Sequence, residues 1–195
     1  MQRLLSPPAG YNCLESTLHR CFAPLSSKHL LFLETFPVTA VVNLSNSPLS
    51  VEFPAGVTMH ELPFDGVTLH VQTVLEALEL VLSLSAHTVL LVGSPKSSFD
   101  ALIIACIRRV QGWTLLSTVT EFRFHCTARS FDMEQFIEHF DPSLLSLESI
   151  ETLPRYLQMY RDAKVAYGYA PRCLTDLRLR SRRLRIGPWR TDSVN

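Results

Sequence analysis

The sequence lacks the features that mark membrane-spanning, disulfide-rich and common metal-binding proteins. It contains no apolar run of the roughly 18–20 residues that a membrane helix needs, and Pro7 and Pro8 interrupt its start too early for a secretion signal. The five cysteines are odd in number and form no CxxC pair, and the seven histidines include no HExxH spacing. We therefore expect a reduced, cytoplasmic protein with no disulfide framework, no metal and no cofactor.

Charged residues are also scarce, and their distribution is uneven. They make up 18% of the 195 residues, whereas apolar residues make up 47%, which excludes a largely disordered chain. The formal net charge of zero is a cancellation, because residues 1–170 carry 11 Lys and Arg against 16 Asp and Glu. Residues 171–195 carry seven Arg against two Asp. Opposite charge on two parts of one chain points to a partner surface.

The hydrophobic pattern predicts an α/β fold with a small, mostly parallel sheet flanked by helices and a helical C-terminal half. The predicted strands cover residues 18–22, 38–44, 57–62 and 88–92. The predicted helices cover residues 28–36, 70–84, 99–110, 115–124 and 133–140, with a longer one from 144 toward 164. The first fifteen residues are expected to be an extended lead-in. One domain over residues 1–165 and an Arg-rich C-terminal extension over 166–195 follow from this pattern.

The loop Gly93–Ser98, between a buried strand and an apolar helix, is the strongest candidate for a ligand site. Loops in this position can hold an anion with backbone N–H groups and a lysine. This loop is not a Walker A motif, which needs a second glycine and a Lys-Ser/Thr pair at fixed spacing. A plain structural turn is the favoured interpretation, with Ser97 and Ser98 capping the helix and Lys96 as a solvated surface residue.

Several stretches resemble the plant and fungal atypical dual-specificity phosphatases, which include the yeast oxidant-induced cell-cycle arrest proteins. The resemblance covers about residues 4–145 in order. It is carried by Pro7-Pro8 with Tyr11, Leu18-His19-Arg20 with Pro24, Val38–Leu44, Ala105–Trp113, Glu121–Phe124 and Glu134–Asp141. The resemblance implies the cysteine-phosphatase fold, whose catalytic Cys-x5-Arg loop joins a strand to the helix that ends in Trp113.

At the catalytic positions the chain departs from that family. The nucleophilic cysteine falls on Gly93, the phosphate-binding arginine on Phe99, and the following threonine on Asp100. Glycine offers no thiolate, and an aromatic ring cannot replace the two-pronged guanidinium clamp. The resemblance therefore implies no catalytic residue but a degenerate phosphate loop formed by Gly93, Ser94, Lys96, Ser97, Ser98 and Phe99. Asp65 lies where the family keeps an acidic loop, and a turn-forming aspartate is the competing interpretation.

Three hypotheses about function remain open at this point. The first is a catalytically inactive regulatory or scaffolding subunit, paired with a related phosphatase-like protein. The second is an active phosphatase for inositol pyrophosphates or phosphotyrosine-type substrates. The third gives the main role to the tail, through Arg178, Arg180, Arg182, Arg183 and Arg185. These arginines alternate with Leu and Ile and suit an acidic partner surface, an anionic membrane, RNA or the chain's own acidic body. A phosphate or inositol phosphate ligand is a weaker expectation, and the absence of a basic stripe with aromatics in the body argues against nucleic acid.

Overall fold

A five-stranded sheet organises the part of the chain that the computed structural model describes, which is residues 5–62, 64, 69–84, 86–127, 130–145, 154, 156 and 157. The strands are β1 (Asn12–Glu15), β2 (Leu18–Phe22), β3 (Ala40–Asn43), β4 (Thr58–Glu61) and β5 (Val89–Gly93). Their order across the sheet is β1-β2-β5-β3-β4, and only the β1–β2 pair is antiparallel.

The central strand β5 is buried along its whole length. Its sequence Val-Leu-Leu-Val-Gly is apolar throughout, as is typical of a strand covered on both faces of a parallel sheet. Successive side chains point to opposite faces, so Leu91 joins one hydrophobic core while Leu90 and Val92 join a second one. β4 lies at the sheet edge, and three of its four residues are exposed.

Five helices accompany the sheet in the described part of the chain. They are α1 (Ser27–Leu33), α2 (Val71–Ser83), α3 (Phe99–Val110), α4 (Leu115–His125) and α5 (Phe131–His139), followed by a 3-10 turn at Pro142–Leu144. Helix α3 begins directly after the candidate loop, and eleven of its residues are buried. It contacts α2, α4 and α5, and these contacts fix the position of the loop relative to the three helices.

A buried arginine connects β1, α3 and α4. Arg108 donates from Nε and Nη2 to the two carboxylate oxygens of Glu121, at 2.8 and 2.9 Å. Its Nη1 donates to Glu15 and, at 2.9 Å, to Gln111, and its guanidinium carbon lies 4.4 Å from the centre of the Trp113 ring. We call these five residues the Arg108 network. The bonds to Glu121 raise the pKa of Arg108 against the opposing effect of burial, so the arginine remains charged.

The predicted α/β fold is confirmed, with two differences. The expected lead-in contains β1, because residues 12–15 find hydrogen-bond partners on β2 across the short turn at residues 16–17. The helix expected over 28–36 ends at Leu33, where turn residues replace helical hydrogen bonding. The long helix expected from 144 toward 164 and the extension over 166–195 lie outside the described residues, apart from the turn at 142–144 and residues 145, 154, 156 and 157.

Candidate functional site

The loop Gly93–Ser98 lies at the carboxyl edge of the parallel strands. β2 ends at the same edge, because Phe22 pairs with Gly93 in parallel register. The Ala23 N–H donates to the Gly93 carbonyl at 2.9 Å, which fixes the start of the loop. Ligands of open α/β sheets bind beyond this edge. The loop identified in the sequence therefore has the location of a ligand site, and its chemistry depends on the side chains that fill it.

The carboxylate of Asp100 fills the space into which a side chain at position 93 would project. A Cβ built on Gly93 would lie 2.8 Å from the Asp100 Cβ and still closer to its carboxylate carbon and one oxygen. Distances below 3 Å do not occur between such carbons, so any side chain at position 93 must displace Asp100. The position that the resemblance assigns to a nucleophile is therefore occupied by an acidic group from the first turn of α3.

Asp100 is held there by Arg20 of β2. The Arg20 Nη2 lies 2.8 Å from the Asp100 Oδ2, and the two side chains are 2% and 0% exposed. The contact is an ion pair without the alignment of a hydrogen bond between the two side chains. Burial raises the pKa of Asp100, and the charge of Arg20 opposes that rise. An isolated charge at either position would be costly, so each side chain depends on the other.

Phe99 packs into the core instead of facing the loop. Its ring is 0% exposed and stacks on Phe64, with ring centres 4.5 Å apart and planes 18° from parallel. Stacked aromatic pairs of this kind stabilise a core beyond their area alone. The position that the resemblance assigns to the phosphate-binding arginine thus contributes an apolar contact and no hydrogen-bond donor.

At the tip of the loop, backbone N–H groups donate to acceptors within the loop itself. The Ser97 N–H donates to the Ser94 carbonyl at 3.2 Å, and the Lys96 N–H donates to the Ser94 hydroxyl at 3.3 Å. A loop that binds an anion leaves such N–H groups pointing at the ligand. Lys96 is exposed, which agrees with its interpretation as a solvated residue. The loop is therefore closed on itself at Ser94–Ser97.

Ser98 has a different role from the helix cap expected from the sequence. It occupies the N-cap position of α3, but its φ of 52° lies in the left-handed region and its side chain makes no capping bond. Its hydroxyl accepts from the Thr127 N–H and the Cys126 Sγ, both at 3.2 Å. The Thr127 hydroxyl donates to the Pro95 carbonyl. The serine ties the loop to the segment after α4. Ser97 does not cap either, because its Oγ is buried without a hydrogen-bond partner in the described region.

The other candidates from the sequence are not among the residues described at this site. Asp65 and the tail residues Arg178, Arg180, Arg182, Arg183 and Arg185 lie outside the described residues. Cys106 is fully buried in α3, and burial raises its pKa, as expected for a core thiol. The residue that sequence reasoning missed is Arg20. An arginine inside a predicted buried strand requires an acidic partner, and that requirement was the available signal.

The same described ranges contain no metal cluster, disulfide or membrane-spanning helix. No group of three or more His, Cys, Asp or Glu is arranged to hold a metal ion there. No disulfide joins Cys13, Cys21, Cys106 or Cys126. None of the helices in these ranges has the length and apolarity required to cross a bilayer.

Comparison with protein families and curated sequences gives consistent matches. The model of the tyrosine phosphatase family matches residues 8–157. Inositol diphosphatase DSP3 of Arabidopsis thaliana is 24% identical over 150 residues, which cover 71% of this chain and 73% of that protein. OCA1 of Mycosarcoma maydis, whose name places it among the tyrosine-protein phosphatases, is 26% identical over 156 residues. That match covers 73% of this chain and 97% of OCA1.

Solved structures show the same fold. The core catalytic domain of the PP-IP phosphatase SIW14 from Saccharomyces cerevisiae, solved with citrate, aligns with a TM-score of 0.59 and 20% identity. The alignment covers 86% of this chain and 98% of that domain. The sheet, the loop and α3 therefore correspond to the framework of a cysteine phosphatase.

Proposed function

We propose that this chain, which belongs to the tyrosine phosphatase family, is a catalytically inactive member that acts by binding another protein. The observation that carries the proposal is the Asp100 carboxylate packed against Gly93 and paired with Arg20. An acidic side chain, paired with Arg20, fills the position that the resemblance assigns to the nucleophile, so no thiolate is presented there. Phe99, stacked on Phe64, supplies no hydrogen-bond donor for a phosphate.

Cys21 and the loop serines offer no substitute for the missing thiolate. Cys21 lies on β2 beside Arg20, but burial raises its pKa to about 12, so it is a neutral thiol at physiological pH. The hydroxyls of Ser94 and Ser98 are engaged in bonds within the loop and to residues 126–127. A serine nucleophile needs an adjacent base, and the described contacts of these hydroxyls include none.

The partner we propose is a related phosphatase-like subunit, for which this chain is a regulatory or scaffolding component in the cytoplasm. The phosphatase-like domain is assigned to residues 1–165, and the Arg-rich extension over 166–195 is assigned to contacts outside the loop. A phosphate or inositol phosphate ligand at the loop is disfavoured, because its turn uses N–H groups internally.

The second candidate function is an active phosphatase for inositol pyrophosphates. The names of relatives such as Inositol diphosphatase DSP3 favour it, as does the fold shared with a PP-IP phosphatase. It requires a nucleophile other than residue 93. A basic tail that grips an acidic partner is compatible with either candidate, because it does not involve the loop.

A phosphate-release assay distinguishes the two candidates. Purified full-length chain is incubated with an inositol pyrophosphate and with an aryl phosphate, next to heat-inactivated chain. SIW14 catalytic domain is the positive control. We expect release no faster than with the heat-inactivated chain. Turnover above that control, abolished by substitution of a loop residue such as Ser94→Ala, would contradict the proposal.

The binding part of the proposal has its own test. Native mass spectrometry of the complex purified from its source, with each subunit identified, is expected to show this chain together with a phosphatase-like protein. A monomer, or a complex without any protein of this fold, would refute the scaffold assignment and leave the absence of catalysis untouched.

A further inference from the structure

The outer side of α4 and the start of α5 carry three large apolar side chains with almost no cover. Leu116, Phe124 and Phe131 are 79%, 81% and 78% exposed. Leu116 and Phe124 are eight residues apart, about 12 Å along one side of α4, and exposed Thr120 lies between them on the same side. We call these three apolar residues the outer apolar patch. Scattered single residues of this kind are ordinary, whereas a row on one helix marks a contact surface.

The inner side of the same helices already has its core contacts. Thr118 and Phe122 of α4, and Met133 and Ile137 of α5, are buried. Arg123 pairs with Glu134 across the two helices at 2.6 Å. The outer apolar patch is therefore not part of the packing of these helices against the core.

Exposed acidic side chains lie on the same helix as Phe131. Asp132, next to Phe131, and Glu138 are both exposed. A segment that combines apolar side chains with arginines would match this face in both respects, since its apolar groups could cover the patch while its charges meet the acids.

The chain itself contains such a segment. Leu177 and Leu179 alternate with Arg178 and Arg180, and Leu184 and Ile186 flank Arg185. Within residues 171–195 the excess of Arg over Asp is five. We call residues 177–186 the Arg-Leu segment.

The end of the described chain permits the segment to reach the patch. Tyr156 and Leu157 are buried in the hydrophobic core that also contains Phe122 of α4 and Ile137 of α5, so the chain lies on this side of the sheet at that point. Twenty residues separate Leu157 from Leu177, and an extended chain spans about 3.3 Å per residue. That reach is several times the length of α4.

We infer that the Arg-Leu segment docks on the outer apolar patch of its own chain, with its Leu and Ile on Leu116, Phe124 and Phe131 and its arginines toward the exposed acids of α5. The inference is independent of whether the loop is catalytic. It accounts for the opposite net charges of residues 1–170 and 171–195, because the basic segment covers an acidic, apolar face of the rest of the chain.

Limited trypsin digestion of the full-length protein tests the docking. Trypsin cuts after arginine, so cleavage within residues 178–185 reports on the accessible fraction of the Arg-Leu segment. We expect cleavage at least about tenfold faster in the variant L116S/F124S/F131S than in the natural chain. The matched control is L5S/M59S, which removes exposed apolar groups elsewhere and should leave the rate unchanged. Equal rates in the natural chain and the triple variant would overturn the inference.

A second measurement keeps the inference testable if the triple variant does not fold. In T120C, maleimide labelling at residue 120, located by peptide mass spectrometry, is expected to be slow. It should accelerate when Arg178, Arg180, Arg182, Arg183 and Arg185 are all changed to Gln. Unchanged labelling would overturn the inference. Protection that disappears on dilution would also overturn it, because it would assign the contact to a second copy of the chain.

Discussion

The two buried arginines, Arg20 on β2 and Arg108 on α3, have very different surroundings. Arg108 meets two carboxylates, an amide and an aromatic ring, so its donors are used in several directions. Arg20 meets one carboxylate, a distant carbonyl of His125 at 3.5 Å and the ring of Phe22. Its Nε and Nη1 have no acceptor among the described residues. Each guanidinium nitrogen of Arg108 has an acceptor, whereas Arg20 has one carboxylate partner and two nitrogens without an acceptor in the described region.

The partners of the two arginines also lie in different parts of the sequence, which differ in their resemblance to the phosphatases. The stretches Ala105–Trp113 and Glu121–Phe124, which resemble the family, supply four of the five residues of the Arg108 network. The stretch Gly93–Asp100, which departs from it, supplies the partner of Arg20. The stretches that resemble the family thus join the helices, and the stretch that departs from the resemblance supplies an internal ion pair at the sheet edge.

The largest effect is expected from Arg108→Met. The substitution leaves Glu15 and Glu121 without their shared partner, and breaking a buried charge network of this kind costs about 4–5 kcal/mol of unfolding free energy. Urea denaturation of purified protein measures it. Arg123→Met is the control, because the Arg123–Glu134 pair is solvent-exposed and its loss should hardly move the unfolding midpoint. Similar midpoints for both variants would contradict the central role of Arg108.

A smaller loss is expected when the Arg20–Asp100 pair is broken. Asp100→Leu and Arg20→Met should each cost about 3 kcal/mol, because each leaves one buried charge unpaired. The double variant R20M/D100L should recover most of that loss, since an apolar pair replaces an ion pair that has few additional bonds. Additive losses in the double variant would show that the two side chains do not depend on each other.

Gly93→Cys is expected to destabilise the chain. The new side chain overlaps Asp100, and such overpacking costs about 2 kcal/mol. Ser94→Cys, one residue further along the loop, is the control and should be nearly neutral. In a D100S background the cost of G93C should fall by at least about 1 kcal/mol, which is the coupling that a double-mutant cycle measures. A G93C chain as stable as the natural one would mean that Asp100 does not fill that space.

The smallest effect on stability is expected from a substitution of His125, whose pKa is lowered by burial and by both Arg20 and Arg108. Burial lowers the pKa of His125, Arg20 lowers it further, and Glu121 partly opposes the shift. Because the folded-state pKa lies below the unfolded value, the stabilisation is present above about pH 6.5 and is lost as the pH falls through the folded value. Urea midpoints at about pH 7.5 and pH 5.5 should therefore differ less in His125→Gln than in the natural chain.

The electrostatic part of this prediction has a direct readout. Arg20→Met should raise the pKa of His125, as followed by NMR titration of its imidazole. His139, an exposed histidine on α5, is the control for both experiments, and His139→Gln should leave the pH dependence of the urea midpoint unchanged. An unmoved His125 titration in R20M would separate this histidine from the Arg20 pair.

Most of the fold could be predicted from the sequence because the signals were local. The apolar run Val89–Val92 indicated a strand buried on both faces, and the spacing of Val74, Leu78 and Val81 indicated one face of α2. β1 was missed because its residues are not distinctively apolar. It forms because β2 offers hydrogen bonds, and that pairing is not written in residues 12–15 themselves.

The candidate site was predicted only in part, for a similar reason. The positions 93 and 99, to which the resemblance assigns the catalytic Cys and Arg, could be counted from neighbouring motifs. The pairing of Asp100 with Arg20 joins residues eighty positions apart, and sequence spacing carries no information on such a contact. Ser98 was expected as a cap because of its residue type, whereas a positive φ directs its hydroxyl to residues 126–127.

The packing of Asp100 against Gly93 has a consequence for how this molecule can change over generations. A codon change to cysteine at position 93 meets an occupied space, and a change that first removes Asp100 leaves the charge of Arg20 unpaired. Each single step toward a Cys-x5-Arg loop therefore passes through a less stable chain. Gly93 and Asp100 are entrenched together, because such a loop would require several substitutions to arrive at once.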